Sequence, residues 1–243
     1  LGVNPLLTIS ALAERNCALL AQDYGWNISY DLPSSPSEKT ESRKLGIQFT
    51  ETMRGHFSTE VIDDYERAAK RGRLDESEFE FTITVVSEDV DTMLQDPNHE
   101  ASIVGTVTVP VISDRPLTAT GGRFNLFVRD ADQDNTRQMR YRMPLTTVDG
   151  ERYHMVGFKT IHDDPGFDMW EDTTTLFITV YDGDDESGRV AGRGILKIEI
   201  DDFRRQMSTM KVSNADGPVQ EVAAAARFGR FFSGELWDTY GLG

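Results

Sequence analysis

The stretch EFEFTITVV (78–86) limits what this chain can become. Phe79, Phe81, Ile83 and Val85 alternate with Glu78, Glu80, Thr82 and Thr84. A period of two puts the first set on one side of an extended chain and the second on the other. One apolar and one polar face describe a half-buried antiparallel strand. Runs of the same kind recur: GIQFTETM with Ile47, Phe49 and Met53, then ASIVGTVTV, then GRFNLFV with Phe124, Leu126 and Val128. QMRYRMPL follows with Met139, Tyr141 and Met143, and HMVGFKTI with His154, Val156 and Phe158. TTLFITVYD and GILKIEI, with Leu196, Ile198 and Ile200, complete the series. Turn signals at Asp149-Gly150, Pro165-Gly166 and Asp182-Gly183 separate them. Short strands so spaced build an antiparallel sandwich or barrel. We expect a mainly β domain over residues 46–243, an antiparallel β-sandwich.

Two helical patterns belong to that domain. One is short and centres on Val61, Ile62, Tyr65 and Ala69. The other is PVQEVAAAARFGRFFSGELWDTYG, where Val222, Ala226, Gly229, Phe232, Leu236 and Tyr240 follow helical spacing. This amphipathic C-terminal helix is expected to pack on the sandwich. Ahead of the β domain, DLPSSPSEKTESRK (31–44) carries proline, serine and mixed charge without periodicity, so residues 31–45 read as a linker. Residues 1–30 then stand apart. Asn4 suits an N-cap and Pro5 the first helical position of a helix over 5–22. Ile9, Leu12, Ala13, Asn16 and Leu20 make one stripe, while Leu6, Leu7 and Ala11 cover other faces. A helix so apolar belongs inside a larger body. The chain therefore reads as the tail of a larger protein, with an upstream domain missing.

Charge narrows the partners. The chain has 41 acidic and 25 basic residues and a formal net charge of -16. Such a balance repels phosphate backbones and anionic lipid headgroups, which argues against nucleic acid and polybasic membrane docking. No stretch has the apolar length of a transmembrane segment. The single cysteine, Cys17, permits no internal disulfide and reads as a small buried hydrophobe. That usage fits a reducing, cytoplasmic compartment.

Few residues carry the marks of chemistry. No Gly-x-Gly-x-x-Gly follows a strand, and neither a phosphate loop nor a Gly-x-Ser-x-Gly elbow occurs. His56, His99, His154 and His162 lack zinc spacing, and His154 reads as a hydrogen-bonded structural histidine. His162 beside Asp163 and Asp164 offers an acid–base pair only if neighbouring strand-end residues could turn to one side. Asp130, Asp132 and Asp134 alternate as oxygen ligands of calcium do. An EF-hand loop from Asp130 needs glycine at its sixth position and glutamate at its twelfth, where this chain has Asn135 and Tyr141. A solvated turn is the plainer reading of these acids, and of Asp182–Glu186. Trp26, Trp170 and Trp237 are isolated and read as packing residues.

The opening LGVNPLLTISALAERN resembles the last conserved segment of the glucose–methanol–choline (GMC) flavoprotein oxidoreductases, in particular their cholesterol oxidase-like branch. In that family a G-x-N-P stretch leads into a T-I-T/S-A-L-A-E-R helix. The resemblance implies that Asn4 is an active-site asparagine near the flavin ring and the substrate hydroxyl. It implies that Asn4, Pro5, Leu6 and Leu7 approach the FAD. Hydride transfer from an alcohol leaves negative charge near flavin N1 and the C2 oxygen, which a helix N-terminus would stabilise. The family's partner histidine and dinucleotide-binding glycines would lie upstream, so this chain alone is expected to be inactive. Beyond the linker, ETMRGHFS, RPLTATGGRFNLFV, DTTTLFITV and RFGRFFSGELWDTYG resemble, more loosely, an extra C-terminal region of some large cholesterol oxidase-like members.

The resulting expectation is the C-terminal part of an FAD-dependent alcohol oxidoreductase acting on a sterol or another bulky apolar alcohol. Residues 1–30 would end the flavin domain and residues 46–243 would be accessory. Two alternatives remain: a non-catalytic β module holding calcium or an apolar ligand, and a docking or oligomerisation domain.

Overall fold

The computed structural model describes residues 15–16, 18–25, 44–129, 136–162, 174–198 and 209–240. The chain divides into two compact units, Leu1–Ser42 and Arg43–Gly243. In the first, residues 15–16 and 18–23 are helical, with Ala21 buried and Leu19 and Leu20 exposed.

The second unit contains strands β1 (Gly46–Ser58), β2 (Glu78–Ser87), β3 (Glu100–Thr108), β4 (Leu117–Arg129) and β5 (Thr136–Thr146). β6 (Arg152–His162), β7 (Thr175–Asp182), β8 (Val190–Lys197) and β9 (Lys211–Ser213) follow. Each of β2 to β7 pairs antiparallel with the next, and β1 pairs with both β2 and β8. The sheet thereby closes into an eight-stranded antiparallel barrel rather than the expected sandwich. Closure rests on the length of β1. Along Ile47–His56 it is bonded to β2, while Arg54–Ser58 bond to β8 on the other side. A strand that serves both ends of the sheet leaves no free edge, which a sandwich would have to protect. Where β8 has ended, β9 bonds to Gly46–Gln48.

Eight strands leave an interior that side chains can fill. Phe79, Phe81, Ile83 and Val85 point inward as their alternation predicts, joined by Met53, Ile103, Leu117, Phe124, Met143, Met155 and Ile178. In β6 the expected set is on the wrong side. Met155, Gly157, Lys159 and Ile161 are buried, while His154, Val156 and Phe158 lie half-buried on the outside. The outer face is apolar because a helix covers it. Helix α1 (Tyr65–Leu74) starts at Asp64, whose carboxylate accepts from Arg67 N–H. Val61 and Ile62 precede it. Tyr65 sets its ring edge against Phe158 and Phe177 and shares a hydrogen bond with Thr179, and Arg193 stacks over it. Gly72 lets α1 touch the β1 backbone, since a Cβ there would sit 2.4 Å from Phe57 O.

A second departure concerns β4. Its register with β5 shifts between Asn125 and Val128, and Phe127 adopts φ 52°. This bulge buries Leu126 and Phe127 in succession and leaves Val128 half-buried, so Phe127 takes the inward place that alternation assigns to Val128. The re-aimed ring meets helix α3 (Pro218–Tyr240), whose Phe231 and Phe232 contact it. Phe228 of α3 packs on Phe49, and Arg227 pairs with Asp91 of α2 (Val90–Gln95). The packed stripe of α3 is Ala224 and Phe228 with the half-buried Phe231 and Phe232; of the expected positions Phe232 packs, whereas Val222, Ala226 and Gly229 are exposed. Phenylalanine rings decide the face because they bury the most apolar area.

Candidate functional site

The barrel interior holds three polar groups that meet. Glu51 follows Phe49 on the inner face of β1, Lys159 stands between Gly157 and Ile161 on β6, and Tyr141 between Met139 and Met143 on β5. Glu51 is 2%, Lys159 3% and Tyr141 1% exposed, so all three are out of water. Lys159 Nζ donates to Glu51 Oε1 at 2.6 Å, and Tyr141 Oη donates to Oε2 at 3.0 Å. The ammonium lies 5.5 Å from the Tyr141 ring centroid. Phe124 and Phe81 pack against that ring with centroids 5.0 and 6.3 Å away.

Strand lengths bring the three together. β7 begins at Thr175, paired with Lys197 at the end of β8, which pairs with Arg54 of β1. Among the described residues β1 has no β8 partner beyond that level, and the Lys159 side chain joins β6 to β1 directly. Each carboxylate oxygen of Glu51 has one donor, and none of the three residues leaves a buried polar atom unpartnered. Burial, then the adjacent Glu51 charge and hydrogen bond, push the Tyr141 phenol well above its ordinary value, so it remains a donor. Among the described residues the three groups are buried and hydrogen-bonded to one another.

A cleft of about 710 Å³ lies on the outer wall between α1 and strands β1, β2, β7 and β8. Arg54, Arg73 and Lys197 line it together with Glu66, Glu78 and Glu80, an even mixture of signs that selects no single ligand charge. His56 Nδ1 and Thr175 Oγ1, in its wall, are buried and lack hydrogen-bond partners.

The residues singled out from the sequence fare differently. Asn4, Pro5, Leu6 and Leu7 lie outside the described residues, as do Asp130, Asp132, Asp134, Asp163 and Asp164. The acidic loop after β7 is described, and basic neighbours hold most of it. Asp182 pairs with Arg189, Asp184 with Arg152 at 2.9 Å and Glu186 with Arg142 at 3.5 Å, while Asp185 accepts from Ser187. Among the described residues no three His, Cys, Asp or Glu side chains are grouped to hold a metal. His154 departs from its expected role, because its Nδ1 is buried without a partner. Burial pulls its pKa down against the opposing pull of Glu186, Asp185 and Asp184. Trp26 and Trp170 lie outside the described residues, and Trp237 falls within α3.

Glu51 and Lys159 were missed from the sequence, although a signal exists. Glu51 shares the parity of Ile47, Phe49 and Met53, so a charge is written into an inward position. Lys159 is hidden because both faces of β6 carry apolar residues. Among the described residues no helix is long and apolar enough to cross a membrane. No protein-family model matches this chain, and neither curated proteins nor solved structures yield a similar one.

Proposed function

We propose that residues 46–243 are a non-catalytic accessory barrel belonging to an FAD-dependent alcohol oxidoreductase of the GMC type. One observation carries the non-catalytic part: the acid and base inside the barrel satisfy each other beneath a filled core. The oxidoreductase part rests on the sixteen opening residues alone. In this reading the flavin supplies the hydride acceptor. Asn4 stands at the substrate hydroxyl, and Pro5, Leu6 and Leu7 line the cofactor. The substrate is a sterol or a comparable apolar alcohol, and the barrel acts through its outer surface on the flavin domain or on substrate access. A calcium-holding module is the less favoured alternative, since arginines neutralise much of the acidic loop after β7.

The test is the coding frame upstream of Leu1. A strand followed by Gly-x-Gly-x-x-Gly and a histidine shortly before Leu1 supports the reading, and the protein encoded by the longer frame should then show flavin absorbance. A stop codon or a start codon immediately before Leu1 overturns the oxidoreductase part and leaves the barrel to account for function.

A further inference from the structure

Lys159 and Glu51 are placed as reactants as well as an ion pair. We propose that they condense to an intramolecular amide, a covalent strut between β6 and β1 inside the barrel. The amine nitrogen stands 2.6 Å from Glu51 Oε1, so the carboxyl carbon, one bond further on, lies within roughly 4 Å of it, close to the near-attack separation of about 3–3.5 Å. Both side chains are buried among Phe81, Phe124 and Tyr141, so little water competes for the carboxyl group. Well-oriented intramolecular pairs reach effective concentrations of ~10⁵ M or more, which favours the condensation.

The step balances without an outside reagent. A proton passes from Lys159 Nζ to the Glu51 carboxylate along their hydrogen bond, giving an amine and a carboxylic acid. The nitrogen lone pair attacks Cδ and forms the C–N bond. Tyr141 Oη, hydrogen-bonded to Oε2, stabilises the negative charge that develops there, and the Oε1 hydroxyl departs with a proton from the nitrogen while Oε2 becomes the amide carbonyl. One water leaves as the C–O bond breaks, and nothing is oxidised or reduced. The phenol is suited to this because burial keeps it protonated and so a standing hydrogen-bond donor to Oε2. The product would join residues 108 positions apart and place an uncharged amide where two charges were buried. This proposal is independent of the flavin reading.

Intact mass spectrometry of the purified full chain tests it. The expected mass is lower than the sequence mass by one water, with a branched peptide joining the Glu51 and Lys159 segments in a digest. Lys159→Arg keeps the charge but cannot condense, so that variant should show its full sequence mass. Tyr141→Phe should retain the two reactants and accumulate the lighter species more slowly. A wild-type chain that keeps its full mass after prolonged incubation in the folded state overturns the proposal, leaving an ion pair only. A loss of water mapped to other residues overturns it equally.

Discussion

Lys159 and Glu51 meet at 2.6 Å from strands that are not neighbours in the barrel, since β7 and β8 lie between β6 and β1 in the strand order. Relative to the ion-paired, uncondensed protein, removing one partner leaves the other's charge in an apolar interior. Lys159→Met is therefore expected to destabilise the barrel by about 3–5 kcal/mol. Tyr141→Phe, which strips one donor from the carboxylate, should cost about 1.5–3 kcal/mol. Denaturant unfolding of the three proteins measures both, and a Lys159→Met loss below that of Tyr141→Phe would contradict the cluster's geometry.

Gly72 and Phe57 set the distance between α1 and β1. A methyl group at Gly72 would lie 2.4 Å from Phe57 O and 2.7 Å from Phe57 N, both backbone atoms that cannot swing aside. Gly72→Ala should therefore cost about 1–3 kcal/mol, although alanine is the better helix former. A thermal melt at or above the wild-type midpoint would show that α1 can lift without loss.

Asp89 caps α2. Its carboxylate accepts from Thr92 Oγ1 and from the N–H groups of Thr92 and Asp91, and Lys44 stands 3.2 Å away. The Thr92 side-chain bond, then the Thr92 backbone bond, holds the carboxyl down at about 2. A folded-state pKa below the unfolded value of about 3.9 adds stability that is fully present above that pH and is lost as pH falls through about 2. Asp89→Asn should flatten this part of the stability–pH curve, while Asp89→Ala should cost about 1 kcal/mol near neutrality. Melts at stepped pH values separate the two effects.

Phe228 fastens α3. It is buried against Phe49, with ring centroids 6.2 Å apart, and stacks on Phe232. Phe228→Ala should cost about 3–5 kcal/mol. The exposed Val222→Ala, on the face assigned from the sequence, should change little. Equal losses at the two positions would mean that the helix is turned differently in solution.

Asn4→Ala, in the longer protein that the opening residues imply, should slow flavin reduction by substrate at least tenfold while FAD is retained. Stopped-flow absorbance reads the rate and released flavin reads the retention. An unchanged rate would reduce Asn4 to a helix cap.

The sequence alone determined the eight barrel strands, though not the short β9, and most of the inward faces. The cleanest runs are those whose outer face meets water, and in EFEFTITVV the glutamates and threonines report the solvent side directly. It also contained the clue to Glu51, an acid at an inward position. What tertiary structure decided was everything that depends on pairing between distant residues. Closure into a barrel rests on β1 bonding to β2 and β8 at once, and no local pattern distinguishes that from two stacked sheets. The outward side of β6 is apolar because Tyr65, far off in sequence, covers Phe158. The bulge at Phe127 breaks the period of two, and the rings of α3 turn that helix away from its valines. In each case burial was set by a neighbour that strand or helix periodicity does not encode.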